Sequence, residues 1–261
     1  MKHLYYVAGL PRSGSTLLGS ILNKHEHIHV TPTSPIADLI CLTEQNVRQL
    51  HNQYTFDIDV LLNNVVQGIF NCGFKHISKQ YIFDKHRAWP RNHIIAQNFL
   101  DSDFKGILTY RPIPEIITSY LKLIRNDSNN FVDKHLKKDG KPLSTENRAD
   151  YLWRYYISDP YQSCLHGLNT VKDKLLPLSY DEIVLDTKNA LHKIEYFFNI
   201  KDISKINFSN IVNTCSEQKD EAWGMKDLHT IRSEINKTSD DAKVILGSVL
   251  YNLYSKFNLK V

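Results

Sequence analysis

Short apolar runs alternate with amphipathic stretches along this chain. His3–Ala8 is nearly all apolar, and Gln80–Asp84, Gly106–Tyr110 and Leu175–Ser179 repeat the pattern. Runs of that length fit strands buried on both faces. After the first run, Leu17, Leu18, Ile21 and Leu22 share one helical face, which predicts a helix over about Gly14–Lys24. Ser34–Gly73 reads as largely helical with a break near Tyr54-Thr55. Pro90 stands where proline opens a helix, and another helix follows Arg111-Pro112 to about Leu123. Further helices are predicted over Glu146–Val171 (long and aromatic-rich), Thr187–Phe198 and Asp240–Phe257. Arg125–Thr145 is polar without a period and reads as a mobile loop, and Asn207–Ser233 reads as irregular. Strands alternating with helices predict an α/β fold, a mainly parallel central sheet flanked by helices on both faces. No repeat or linker composition divides the chain, so one domain over residues 1–261 is expected.

Composition narrows the classes. The 261 residues suffice for a sizeable core, and 42% hydrophobic content is that of a soluble globular protein. No apolar run is long enough to span a bilayer. Lys2–Leu10 is too short for a signal peptide and meets Pro11-Arg12 at once. A cytoplasmic protein without a membrane partner is expected. Cys41, Cys72, Cys164 and Cys215 lie far apart, so buried free thiols are expected rather than zinc, redox or disulfide work. The net charge of +4 suits a small polyanion and does not argue for nucleic acid. His25, His27 and His29 alternate as ligands on a strand would, but nothing nearby completes a metal site, and a solvated edge is the reading. Trp153, Tyr155, Tyr156 and Tyr161 read as helix core, with some able to line a pocket.

The chemistry starts at Tyr5-Tyr6-Val7-Ala8-Gly9-Leu10-Pro11-Arg12-Ser13-Gly14-Ser15-Thr16-Leu17-Leu18. A strand running through a Gly/Ser/Thr turn into a helix aims backbone N–H groups and a helix N-terminus at one anion. Gly9 and Gly14 fit the nucleotide-loop frame G-x-x-x-x-G, but Ser15 stands where that frame has Lys, while Thr16 is retained. The positive charge has moved to Arg12. A second strand ends in Asp84-Lys85-His86-Arg87 and a third in Arg111, with Ser119 eight residues on. In an open parallel sheet these strand ends face one crevice.

Gly9–Leu18 resembles the 5′-phosphosulfate-binding loop of the sulfotransferase family, often P-R-S-G-[ST]-T-L. The resemblance implies a P-loop-NTPase-like fold that transfers a sulfuryl group from 3′-phosphoadenosine 5′-phosphosulfate (PAPS) to a hydroxyl or amine, leaving 3′,5′-ADP. It implies that Arg12 and the amides of Ser13, Gly14, Ser15 and Thr16 hold the 5′-phosphosulfate. His86 resembles the base of the family's K-T-H segment, and Lys85 or Arg87 would steady the sulfuryl oxygens. Some members instead carry a Glu base shortly after the first helix. Val30–Ser34 offers no carboxylate there, and Asp38 is the nearest. Arg111 and Ser119 resemble the 3′-phosphate motif, although Pro112 follows the Arg directly. Leu178–Val184 is similar to R-Y-E-D-L-V, which puts Tyr180 at the nucleotide. Ala222–Arg232 is similar to W-G-x-x-x-L-H-x-x-R, with Lys226 as a phosphate contact. In-line displacement without a metal is the implied chemistry. Two other readings stay open. One is a P-loop small-molecule kinase or NTPase holding Mg²⁺ through Thr16 and Asp84. The other is a non-catalytic protein that binds 3′,5′-ADP.

Overall fold

The computed structural model describes residues 2–50, 57–215, 225, 228, 230–231 and 241–261. Five parallel strands form the centre: β1 (His3–Gly9), β2 (Ile28–Thr33), β3 (Tyr81–Lys85), β4 (Gly106–Tyr110) and β5 (Leu175–Ser179), in the order β2-β3-β1-β4-β5. β1 is the middle strand and its side chains divide by parity. Leu4, Tyr6 and Ala8 join one apolar cluster, and Tyr5 and Val7 join the other.

The Tyr6 face carries most of the helices. They are α2 (Ile36–Leu50), α3 (Ile58–Gly73), α4 (Trp89–Phe99), α5 (Ile113–Asn126), α6 (Phe131–Lys138), α7 (Thr145–Leu152), α8 (Ser158–Thr170) and α11 (Ala242–Ser255). The opposite face is covered by α1 (Ser15–Leu22), α9 (Tyr180–Leu185) and α10 (Thr187–Phe198). Tyr6 is fully buried, and its hydroxyl shares a hydrogen bond of 2.9 Å with His93 Nδ1. Gly106 lies under that ring, where a Cβ would stand 2.1 Å from Tyr6 Cε2. A residue without a side chain is therefore required for β4 to pair with β1.

Some elements differ from the sequence expectation. β2 is a fifth strand that the apolar pattern does not announce. Only Ile28, Val30 and Thr31 are buried, Pro32 interrupts the run, and the register shifts between Val30 and Thr33. Pro is tolerated there because β2 is an edge strand. His25, just before it, bonds the Lys201 carbonyl. The expected loop 125–145 contains α6. Asn130 caps that helix by accepting from the Asp133 N–H, and Arg148 grips the Asp133 carboxylate with two bonds of 2.7 and 2.8 Å. The long aromatic helix is two helices joined by a π-helical turn over Trp153–Ile157. Cys164 and Cys215 are buried thiols, but Cys72 is exposed. The break expected at Tyr54-Thr55 lies outside the described residues. Among the described residues no helix is long and apolar enough to cross a membrane.

Candidate active site

The loop between β1 and α1 is shaped by backbone that L side chains rarely adopt. Gly9 (φ 141°), Arg12 (φ 58°) and Gly14 (φ 93°) all have positive φ. Gly9 has a second reason to be glycine, since a Cβ there would lie 2.0 Å from the Thr109 carbonyl oxygen on β4. Ser13 is buried and turned inward. Its hydroxyl bonds the Leu10 carbonyl and, at 2.6 Å, the Thr109 hydroxyl, so it pins the loop, and only its amide is left for a ligand. Gly14 caps α1 with no side-chain bond, and Ser15 and Thr16 form its first turn. The first N–H groups of a helix have no partner within it.

Around this loop the strand ends converge. Arg12 Nε donates to Ser119 Oγ on α5 at 3.1 Å, and its guanidinium also reaches the Leu228 carbonyl. Arg111, at the end of β4, is buried. It donates to Glu115 at 3.0 Å and to the Arg12 carbonyl at 3.4 Å, and its guanidinium carbon lies 4.1 Å from the centre of the Tyr180 ring. Tyr180 also faces Gly14, where an added Cβ would be 3.3 Å from the ring. Arg12, Gly14, Arg111, Ser119 and Tyr180 are thus one neighbourhood at the carboxyl ends of β1, β4 and β5.

The end of β3 feeds the same crevice by alternation. Lys85 points to the α1 side, donating to the Cys215 carbonyl at 2.7 Å and reaching Thr16 Oγ1 at 3.3 Å. Burial pushes its ammonium down to about 8. A lysine therefore stands beside the loop although Ser15 occupies the loop's own lysine position. Its predecessor Asp84 points to the opposite face. There it accepts from Thr31 Oγ1 (2.9 Å), Ser34 Oγ (2.5 Å) and Trp89 Nε1 (2.7 Å). Burial raises its pKa, and the three donors oppose the rise. Both oxygens of Asp84 are used inside the fold, away from Thr16, so the carboxylate is not placed to hold Mg²⁺ beside it.

His86 is the first residue past β3. Its backbone N–H bonds Val7, its Nδ1 accepts from the Ala88 N–H at 3.2 Å, and its Nε2 lies 3.3 Å from Asp38 Oδ2. Asp38 and His86 share a cleft of about 530 Å³, which Arg87, Phe131, Tyr155 and Tyr156 also line. That volume suits a small ligand. The π turn carries Tyr155 outward, and it is 68% exposed, so it is cleft wall rather than core. Trp153 and Tyr161 do pack inward, both against Phe257. Lys226, with Trp223, Gly224, His229 and Arg232, lies outside the described residues.

Sequence reasoning missed the carbonyls of Cys215 and Leu228, which hold the two loop cations, and nothing in the pattern around them signals that role. It also missed Thr31, Ser34 and Trp89 as the clamp on Asp84. Their polar atoms are legible, but the convergence is tertiary.

Comparisons with known proteins agree with this architecture. No curated protein matches the chain significantly. Among solved structures, the sulfotransferase domain from the curacin biosynthetic pathway superposes with a TM-score of 0.52 at 15% identity, covering 100% of this chain and 93% of that one. The sulfotransferase domain from the Synechococcus PCC 7002 olefin synthase gives 0.49 at 17% identity, covering 96% and 95%. At 15% identity the likeness to the curacin-pathway domain is one of fold. The sequence profile of the sulfotransferase family matches residues 6–204, well over half of the chain, and the protein therefore belongs to the sulfotransferase family.

Proposed function

We propose that this protein transfers a sulfuryl group from PAPS to a hydroxyl or amine acceptor by in-line displacement. The observation that carries the reading is the pairing of two cationic subsites in one crevice. The first is the loop with Arg12, the α1 N-terminus and Lys85, and the second is Arg111 against Tyr180 near Ser119. An adenosine with anions at both its 3′ and 5′ positions needs two such sites, and the residues present fit it. The bound donor supplies the sulfuryl group and a phosphate leaving group. The amides of Ser13, Gly14, Ser15 and Thr16 cradle the 5′ end, and Arg12 and Lys85 stabilise charge growing there. Arg111 and Ser119 fix the 3′-phosphate through a planar fork and a hydroxyl. Tyr180 packs at the nucleotide. The His86–Asp38 pair stands in the cleft where the acceptor would lose its proton. No metal enters this scheme, because cations and helix-terminus donors carry the charge. The free thiols and the lack of a membrane-spanning helix among the described residues favour action in the cytoplasm.

The test is calorimetry of the purified protein with 3′,5′-ADP, with ATP–Mg²⁺ as the control. Binding of 3′,5′-ADP that is lost in Arg111→Ala supports the proposal. Binding of ATP–Mg²⁺ alone would return the kinase reading, which the occupied oxygens of Asp84 disfavour. Binding of 3′,5′-ADP without any sulfuryl transfer would leave a nucleotide-binding protein.

A further inference from the structure

We infer that Asp38, not His86, takes the proton from the acceptor, and that His86 positions the Asp38 carboxylate. The inference rests on the sulfuryl-transfer reading. It starts from the two ring nitrogens of His86. Nδ1 faces a backbone donor, the Ala88 N–H, at 3.2 Å. That nitrogen must present its lone pair, so in the neutral ring the proton sits on Nε2. Nε2 in turn lies 3.3 Å from Asp38 Oδ2, so its proton stands on the side of a carboxylate. Turning the ring over would set carbon atoms against both partners and lose both contacts, so the two neighbours together assign the orientation. In this tautomer His86 has no lone pair to offer the cleft. Moving the proton to Nδ1 would set it against the Ala88 N–H and turn the Nε2 lone pair against the Asp38 carboxylate.

Asp38 has the opposite character. Its side chain is 56% exposed, against 16% for His86, and it lines the same cleft. A carboxylate has about four lone-pair sites, and the contact with His86 occupies one side of one oxygen. The cleft that Asp38 lines, about 530 Å³, is large enough for a small acceptor. The imidazole thus fixes one oxygen of a carboxylate that would otherwise rotate at the first turn of α2.

The step balances as follows. The acceptor O–H bond breaks, and its proton goes to a carboxylate oxygen of Asp38. The electron pair left on the acceptor's oxygen forms the new bond to sulfur. The bond from sulfur to the oxygen of the donor's 5′-phosphate breaks, and its electron pair leaves on that phosphate, where Arg12 and Lys85 meet the charge.

Two experiments on the full-length protein test this. Nitrogen-15 NMR of the His86 ring is expected to show Nδ1 bare and Nε2 protonated, with the Nε2 signal moving in Asp38→Asn. A ring protonated at Nδ1 with Nε2 bare overturns the inference. The second experiment measures labelled sulfate released from PAPS with water as the probe acceptor, beside calorimetry with 3′,5′-ADP. Asp38→Asn is expected to lower kcat by roughly 10²-fold or more and leave the affinity for 3′,5′-ADP unchanged. His86→Gln, whose amide N–H can still donate to Asp38, is expected to keep kcat within about tenfold, as suits a positioning role. The reverse ranking, with 3′,5′-ADP still bound, overturns the inference and spares the sulfuryl-transfer reading. Failure of the unaltered protein to bind 3′,5′-ADP overturns that reading itself.

Discussion

Lys85 should make binding of the proposed nucleotide a proton-linked event. Its ammonium is held down to about 8 because burial next to Thr16 and the Cys215 carbonyl strips it of water. A phosphate arriving in the loop favours the charged form, so the pKa must rise on binding. At about pH 9 the free protein would carry Lys85 mostly neutral, and binding 3′,5′-ADP should take up about 0.9 proton if the bound pKa lies well above 9. The affinity should then fall about tenfold per pH unit above 8 until the bound pKa is reached. Calorimetry in two buffers of different ionisation enthalpy reads the proton number directly. Lys85→Met keeps the apolar stem and removes the titrating group, so the uptake should vanish with it. Stability runs the other way. An amine whose pKa is lowered by folding opposes folding while it is charged in the unfolded chain, so this group's contribution rises from about pH 8 toward the ordinary lysine value of 10.5. Equal proton uptake by the wild type and Lys85→Met at pH 9 would refute the placement of Lys85 at the anion.

Three further outcomes test the frame that holds the site. Gly106→Ala should destabilise by about 3 kcal/mol in urea unfolding, because the new methyl meets the Tyr6 ring, which the His93 bond keeps from moving aside. Burial holds His93 down to about 4, and its Nε2 has no partner. The unfolded chain therefore binds a proton there first, so stability should be full above about pH 6.5 and decline as pH falls toward 4, a slope that should flatten in His93→Gln. Arg148→Met leaves Asp133 without its bidentate partner and should cost about 2–3 kcal/mol in the same assay. It should also weaken ligands of the cleft more than 3′,5′-ADP, because Asp133 sits on α6 beside the cleft residue Phe131.

What could be read from the chain follows from where the site is built. The loop was legible because its demands are local. Gly9 and Gly14 meet backbone conformations that only their own neighbours create, so four residues between two glycines already imply the turn. The central strands were legible because burial on both faces leaves a continuous apolar run. β2 was hidden for the opposite reason, since an edge strand tolerates Pro32 and polar positions. α6 was hidden because only Val132 and Leu136 of its short span needed to be apolar, too few to show a period. At the end of β3, the composition Asp84-Lys85-His86 showed a cluster of charge but not its division. The division depends on register, since Val7 pairs with Lys85, and that sends Lys85 to the loop and Asp84 beneath α4. The partners of each were harder still. Asp38 meets His86 only once α2 is laid across the end of β3, and Lys85 meets Cys215 only once the chain returns past α10. Strand-end position therefore shows which residues face the crevice, and tertiary packing decides which atom of each remains available for chemistry. That is why the sequence pointed to His86, while the contacts around its ring support the proposal of Asp38.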